Sequence, residues 1–410
     1  MTEGVTEIGA APAGPDLRRL ARAGVIGAFA AGAALILIFP LAVGWARGRF
    51  DDALWSYNGA AIALSWFETG FARRELEATL IRLVTPDPMA GGALFHALTY
   101  TTVAALAFAA VLRAPAADRQ RAAIGAVFLA VLFRAGADVG RADLAVMICG
   151  FAAAWAAGAG RWAAAAAAIA VALAFHEAGL IVLAPVAAAV AFEHRSWRRA
   201  RARAAWPAGL AVAALGLCAY ALAWQARPDV AAAARAVHAK FADPSMADLS
   251  VYYSLSGPRG VASILCQQRL DGAYPGKILK GAGLIVLCAA GLRPRRWLIT
   301  LLATLPAFLL LSAIAVDIGR WTVLAVFGIA VMAALAPAAE APARPPAWVH
   351  PALALAAAAL LVIGVGLVPE LLDPAPAVPA PLFGGRPPAL DALGRASACD
   401  PGWRRFLGLA

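Results

Sequence analysis

Apolar runs broken by short charged clusters recur along the chain, at approximately 24–45, 91–112, 122–137, 144–159, 162–175, 179–192, 206–224, 278–292, 297–315, 321–337 and 349–368. A bilayer crossing takes about 20 mostly apolar residues in a helix. The pattern therefore predicts an all-α, polytopic transmembrane helical bundle of about eleven spans. Several middle runs fall short, at roughly 14 to 16 residues. Short spans tilt little, thin the bilayer, or end inside protein below the surface. The last option sinks Asp138, Arg141, His176 and Glu177 beneath one interface. A cavity opening outward would hydrate them there.

Threading the runs in alternation sorts the polar clusters by side. With Arg18, Arg19 and Arg22 inside, the short connections bearing Arg113, Arg161, Arg195 to Arg203, Arg293 to Arg296 and Arg344 are also inside. Short, densely basic loops carry the orientation signal. The expectation is a multi-pass protein of a bacterial inner membrane with its N-terminus cytoplasmic. It comprises a cytoplasmic tail (1–23), a bundle (24–368) with outer loops 46–90 and 225–277, and an outer tail (369–410). Within the first loop, Leu76, Leu80, Leu83 and Val84 recur at helical spacing, predicting an amphipathic helix over Phe71–Val84. The tail holds Pro374, Pro376, Pro379, Pro381, Pro387 and Pro388 and reads as extended for much of its length.

Composition agrees: 62% hydrophobic, 14% charged, mean hydropathy +0.75. An ordinary soluble domain is roughly 25% charged. The net charge of +11 lies mostly in short connections and forms no basic domain, so it is assigned to topology and anionic membrane lipids, not nucleic acid. The N-terminus starts acidic and turns basic only at Arg18, unlike a signal peptide, and is expected to be an uncleaved tail. Cys149, Cys218 and Cys288 fall in spans, whereas Cys266 and Cys399 fall in outer segments. In an oxidising compartment these two either form a disulfide that ties the tail onto the large loop or remain two free thiols. No CxxC or His/Cys spacing supports a zinc site.

Five clusters carry candidate chemistry, all threading to the outer side. Asp51-Asp52 follows the first span. Adjacent carboxylates can share a proton, act as a base or bind a divalent cation, or simply cap a helix. Arg73 and Arg74 stand beside Glu68, Glu75 and Glu77. They suit a diphosphate clamp, or equally the ion pairs of an interfacial helix. Arg134, Asp138, Arg141 and Asp143 crowd one tight turn, as a polar site or a self-neutralised knot. Asp317, Arg320 and Trp321 echo that motif with an aromatic that can stack on a sugar or anchor at the headgroups. His176 and Glu177 end an Ala-rich run; histidine is the usual base near neutral pH, or a core imidazole bonded to backbone. His96 and His238 have no partner motif. Neither a Walker loop nor a Gly-rich turn after a strand is present, which argues against nucleotide donors.

The chain resembles bacterial polytopic glycosyltransferases of the GT-C and polysaccharide-polymerase kind, on Asp51-Asp52, Phe71-Ala72-Arg73-Arg74 and His176-Glu177. The resemblance covers the bundle in general layout. It implies transfer of a sugar or glycan from a polyprenyl-phosphate-linked donor at the outer face. Asp51, Asp52, His176 and Glu177 would then be catalytic. Arg73, Arg74, Arg141, Arg320, Asp138, Asp317 and Trp321 would bind substrate. Other classes with the same charges are a transporter or flippase of a lipid-linked glycan, and a non-catalytic assembly subunit.

Overall fold

The computed structural model describes residues 64–66, 75–136, 142–202, 204–225, 229–238, 245–270, 272, 274–315, 317–337, 348–363 and 388–409. These form seventeen helices and no strand, so the described fold is all-α. Ten of the apolar runs lie wholly or partly within them, and the described part of each falls largely on one of ten helices. They are α2 (Pro88–Arg113), α3 (Asp118–Gly136), α4 (Asp143–Gly158), α5 (Trp162–Phe175), α6 (Ala178–Glu193), α8 (Ala205–Gln225), α12 (Tyr274–Leu292), α13 (Trp297–Ile314), α14 (Ile318–Ala334) and α15 (Val349–Ile363). The run at 24–45 lies outside the described residues. Four helices, in α2, α8, α12 and α13, are long and apolar enough to cross a membrane; α4, α5, α6, α14 and α15 are apolar but shorter. The 14 residues of α5 rise roughly 21 Å, against a hydrocarbon core of about 30 Å.

α14 is the axis of the bundle. It packs against α2, α3, α4, α6, α12 and α13, and its stretch Trp321–Ala334 is buried without interruption. A helix apolar on every side can only be stable surrounded by other helices or lipid. Beside its middle turns Phe128, Phe151 and Phe327 meet with ring centroids 5.2–6.2 Å apart. Buried Thr300, Thr304 and Thr322 donate to carbonyls of their own helices, so they contribute no polar path through this layer. α8 stands at the rim and packs mainly on α5. Gly209 and Gly216 permit that approach, because a Cβ there would lie 3.1 Å from Trp162 and 2.8 Å from Ala170.

Alternating helices bring their ends into two polar layers. At the basic end, side chains satisfy the carbonyls that helix C-termini leave unpaired. Gln120 donates to Gly291 and Leu292 O, Ser196 of α7 (Ser196–Ala202) donates to Ala157 and Ala191 O, and His194 bonds Leu335 O at 2.6 Å. A buried ion pair joins Arg293 to Glu193, whose side chains are 2% and 1% exposed.

At the opposite end a second, smaller core forms. The segment 225–277, read as an outer loop, contains α9 (Val230–His238), α10 (Ser245–Leu255) and α11 (Pro258–Leu270). Of the outer tail, residues 388–409 are described, and the stretch read as extended, 369–387, lies outside the described residues. α16 (Pro388–Cys399) and α17 (Trp403–Phe406) fold onto α10 and α11 around buried Tyr252, Ala396, Trp403 and Leu407. Pro388 is the first residue of its helix, where the missing N–H costs nothing. Cys266 and Cys399 are joined in a disulfide with Cα atoms 5.7 Å apart. Asp400, next in the chain, accepts both Nε and Nη2 of Arg259, the Tyr252 hydroxyl and the Gly402 N–H. The cap is tied to the bundle through Gln268, which donates to the Tyr274 hydroxyl. Tyr274 in turn reaches Ser312 O and Ala315 O.

Candidate functional site

Tyr274 fixes the loop that leads into Asp317, and there the polar layer of the capped end begins. Arg320, one turn into α14, donates from Nε and Nη2 to the two oxygens of Asp143 at 2.8 and 2.7 Å. Its Nη1 donates to Asp317 at 2.9 Å. Asp143 opens α4, where a carboxylate also suits the positive end of the helix dipole. Asp143 and Arg320 are 177 residues apart, yet form a bidentate, charge-assisted pair. Asp143 is 9% exposed at its side chain and Asp317 31%, so Asp317 is the accessible carboxylate.

Trp321 is packed behind this lattice. The Arg320 guanidinium lies 5.1 Å from its ring centroid and the His176 ring 5.7 Å away. Its indole N–H is buried without a hydrogen-bond partner among the described residues. His176 ends α5 in extended backbone, and its Nδ1 accepts the N–H of Ala178, the first residue of α6. That bond places the proton of the neutral ring on Nε2. In the neutral ring Nε2 is therefore the donor, and protonating Nδ1 would break the bond to the start of α6. Glu177 is adjacent, 3.8 Å from His176 Nδ1 and 3.5 Å from the Tyr220 hydroxyl.

A third side of the site comes from α1 (Leu76–Val84), the described part of the predicted amphipathic helix, whose buried face carries a carboxylate. Glu77, Ala78, Thr79 and Ile81 are buried, while Leu80, Leu83 and Val84 are exposed. The helix presents its apolar stripe outward and its carboxylate inward, an arrangement suited to an in-plane interfacial helix. Thr79 accepts the Trp66 N–H and donates to Glu75 O, which holds the preceding segment against it. Burial pushes the Glu77 carboxyl up to about 8; the negative charge of Asp143 adds to the rise and Arg320 opposes it. Contact between Phe95 and Phe175 brings α2 to the same end, with buried His96 and Tyr100 close behind.

The structure thus gathers His176, Glu177, Asp317, Arg320 and Trp321 into one layer, together with Asp143 and Glu77. Asp51, Asp52, Arg73, Arg74, Asp138 and Arg141 lie outside the described residues. Glu77 is a member that periodicity concealed, since it stood only as an ion-pair partner on a helix whose leucines pointed elsewhere. Among the described residues no group of three or more His, Cys, Asp or Glu is placed to hold a metal ion. Comparison with protein-family models, with curated proteins and with solved structures finds no match to this chain.

Proposed function

We propose that the chain is an integral-membrane glycosyltransferase or glycan polymerase, acting at the capped face on a sugar donor linked to polyprenyl phosphate. In this reading about eleven helices span a bacterial inner membrane, the N-terminus is cytoplasmic and the capped end faces outward. The observation that carries it is the Asp143–Arg320–Asp317 lattice at the end of the bundle that bears the disulfide-tied cap, with a cluster of three phenylalanines deeper in the bundle. A polar layer gathered at one end, with apolar packing around Phe327 below it, supports chemistry there more than a path through the bundle.

The geometry refines the roles. Arg320 is a positioning residue, because it is committed to two carboxylates. Asp317, the more exposed of the two, takes the proton of the acceptor hydroxyl as it attacks the anomeric carbon. The His176 Nε2–H donates to a sugar or phosphate oxygen. Two carboxylates and one guanidinium carry a net negative charge, which suits acceptor activation and not stabilisation of the leaving polyprenyl phosphate. That charge falls to Arg73, Arg74 and Arg141, aided by a divalent cation if Asp51 and Asp52 hold one. Trp321 backs the lattice and keeps it dry.

The test is release of polyprenyl phosphate from labelled lipid-linked glycan by the purified chain, compared with Asp317→Asn and His176→Ala. Turnover by wild type, with Asp317→Asn folded and at least about 100-fold slower, is expected for loss of a general base. Absence of release across matched lipid-linked donors, with the wild type folded, would reject the reading.

A further inference from the structure

Glu77 takes no part in the chemistry assigned above, and its setting is unusual for a carboxyl. It is 7% exposed, and among the described residues its side chain makes no hydrogen bond and no ion pair. Burying a polar group without a partner costs free energy, so such a group calls for one. Its direction is set by packing. Ile81, four residues on and therefore on the same face, is buried against Gly91 of α2, where a Cβ would lie 2.4 Å from the Ile81 and Thr85 side chains. The contact that docks α1 thus turns Glu77 away from the exposed Leu83 and Val84 and towards the polar layer.

Around it stand Glu75, Arg82 and Asp87 in or beside α1, His96 of α2, His176 and Glu177 at the end of α5, Asp143 of α4, and Asp317 and Arg320 of α14. Burial and the charge of Asp143 outweigh Arg320, so the carboxyl keeps its proton through the neutral range. A protonated carboxyl is a donor and an acceptor at once. One hydroxyl answers both needs, because it too donates and accepts. A phosphate dianion would answer only the O–H, and an ammonium only the carbonyl oxygen. The ligand chemistry that fits is a hydroxyl, of the kind a sugar ring presents.

We propose that Glu77 is a sugar-binding residue, whose carboxyl donates to and accepts from one hydroxyl of the sugar on the lipid-linked donor. The identity of that ligand rests on the transferase reading. Asp317 remains the base, and Glu77 exchanges no proton with the reacting atoms. Its contribution is to binding, and so to KM more than to kcat.

The experiment is equilibrium binding of a polyprenyl-phosphate-linked hexose to the detergent-purified full chain, with bare polyprenyl phosphate as the second probe. Wild type, Glu77→Gln and Glu77→Ala are compared, each checked for folding by its melting midpoint, and release of polyprenyl phosphate is followed in the same samples. Glutamine keeps a donor and an acceptor but cannot ionise. With the carboxyl titrating at about 8, wild type should lose about tenfold in hexose-lipid affinity between about pH 7 and about pH 9, relative to Glu77→Gln. At about pH 7, Glu77→Gln should bind like wild type and Glu77→Ala about three- to tenfold more weakly, as for a lost neutral hydrogen bond. None of these differences should appear with bare polyprenyl phosphate. A wild-type affinity that holds up to about pH 9 would overturn the assignment even if neither variant folds. Normal binding by folded Glu77→Ala, or the same differences with the bare lipid phosphate, would overturn it too. The expected binding without release would keep the Glu77 site and reject the transferase reading, whereas binding of neither lipid would overturn both.

Discussion

Removing Arg293 alone should harm this protein far more than removing Arg293 and Glu193 together. The two side chains are almost wholly buried, and Nη2 of Arg293 is the described donor to Glu193 Oε2. Arg293→Met leaves an ionised carboxylate in the bundle without a counter-charge. Breaking a buried pair from one side costs about 3–5 kcal/mol, whereas replacing both partners by apolar groups of similar volume is often neutral or stabilising. With an unfolding entropy of about 2.1 cal/mol/K per residue over 410 residues, the single loss lowers the melting midpoint by roughly 3–6 °C. Glu193→Leu/Arg293→Met should return to within about 1 °C of wild type or exceed it on the same scale. The assay is thermal unfolding in detergent, followed by a thiol-reactive dye that reports the buried Cys149 and Cys288, in a Cys218→Ser background. Equal midpoints for the single and double variants, or a single variant indistinguishable from wild type, would refute the reasoning.

Three further outcomes test the cap and α1. Reducing the Cys266–Cys399 bond should expose α16 and α17 to protease while leaving the bundle intact. The 133-residue separation is already bridged by packed helices, so the effect is local and smaller than the 2–4 kcal/mol usual for an isolated loop. The hydrogen bond from Arg259 holds the Asp400 carboxyl down at about 2, helped by Tyr252 and the Gly402 N–H and opposed by partial burial. A lowered folded value makes this stabilisation complete above the ordinary carboxylate range and lost as pH falls towards 2. Protease resistance of the C-terminal helices should therefore drop between about pH 4 and pH 2 in wild type, and be lower and flat over that range in Asp400→Asn. Glu77 works the other way, since a raised folded value means that the native state binds the extra proton. Stability should fall as pH rises from about 4.5 to 8, and Glu77→Gln should flatten that slope in the same unfolding assay.

Helix positions were legible because each apolar run is bounded by Arg, Pro, Gly or Asp, and those marks do not depend on tertiary context. The direction in which an apolar stripe faces was not. In a membrane the outward face is as apolar as the core, so spacing alone does not say that Leu80, Leu83 and Val84 are exposed while Glu77 on the same helix is buried. The polar layer was legible by side, since alternation alone puts Asp143, His176 and Asp317 at one end. Its pairings were not: Arg320 reaches back 177 residues to Asp143, and Arg259 reaches forward 141 to Asp400. The local Asp-x-Gly-Arg spacing suggested only the near partner, Asp317. Helices α9 to α11 and α16 were hidden for a different reason. They are short, and their stability comes from packing on one another around Tyr252 and Trp403, which no single segment announces.

The most direct test of the central claim is single-turnover release of polyprenyl phosphate by the purified chain, with Asp317→Asn and Asp143→Asn beside wild type. Expected are release by wild type, loss of at least about 100-fold with Asp317→Asn in a folded protein, and a smaller loss with Asp143→Asn, which removes a positioning partner and not the base. Release undiminished in folded Asp317→Asn would contradict it.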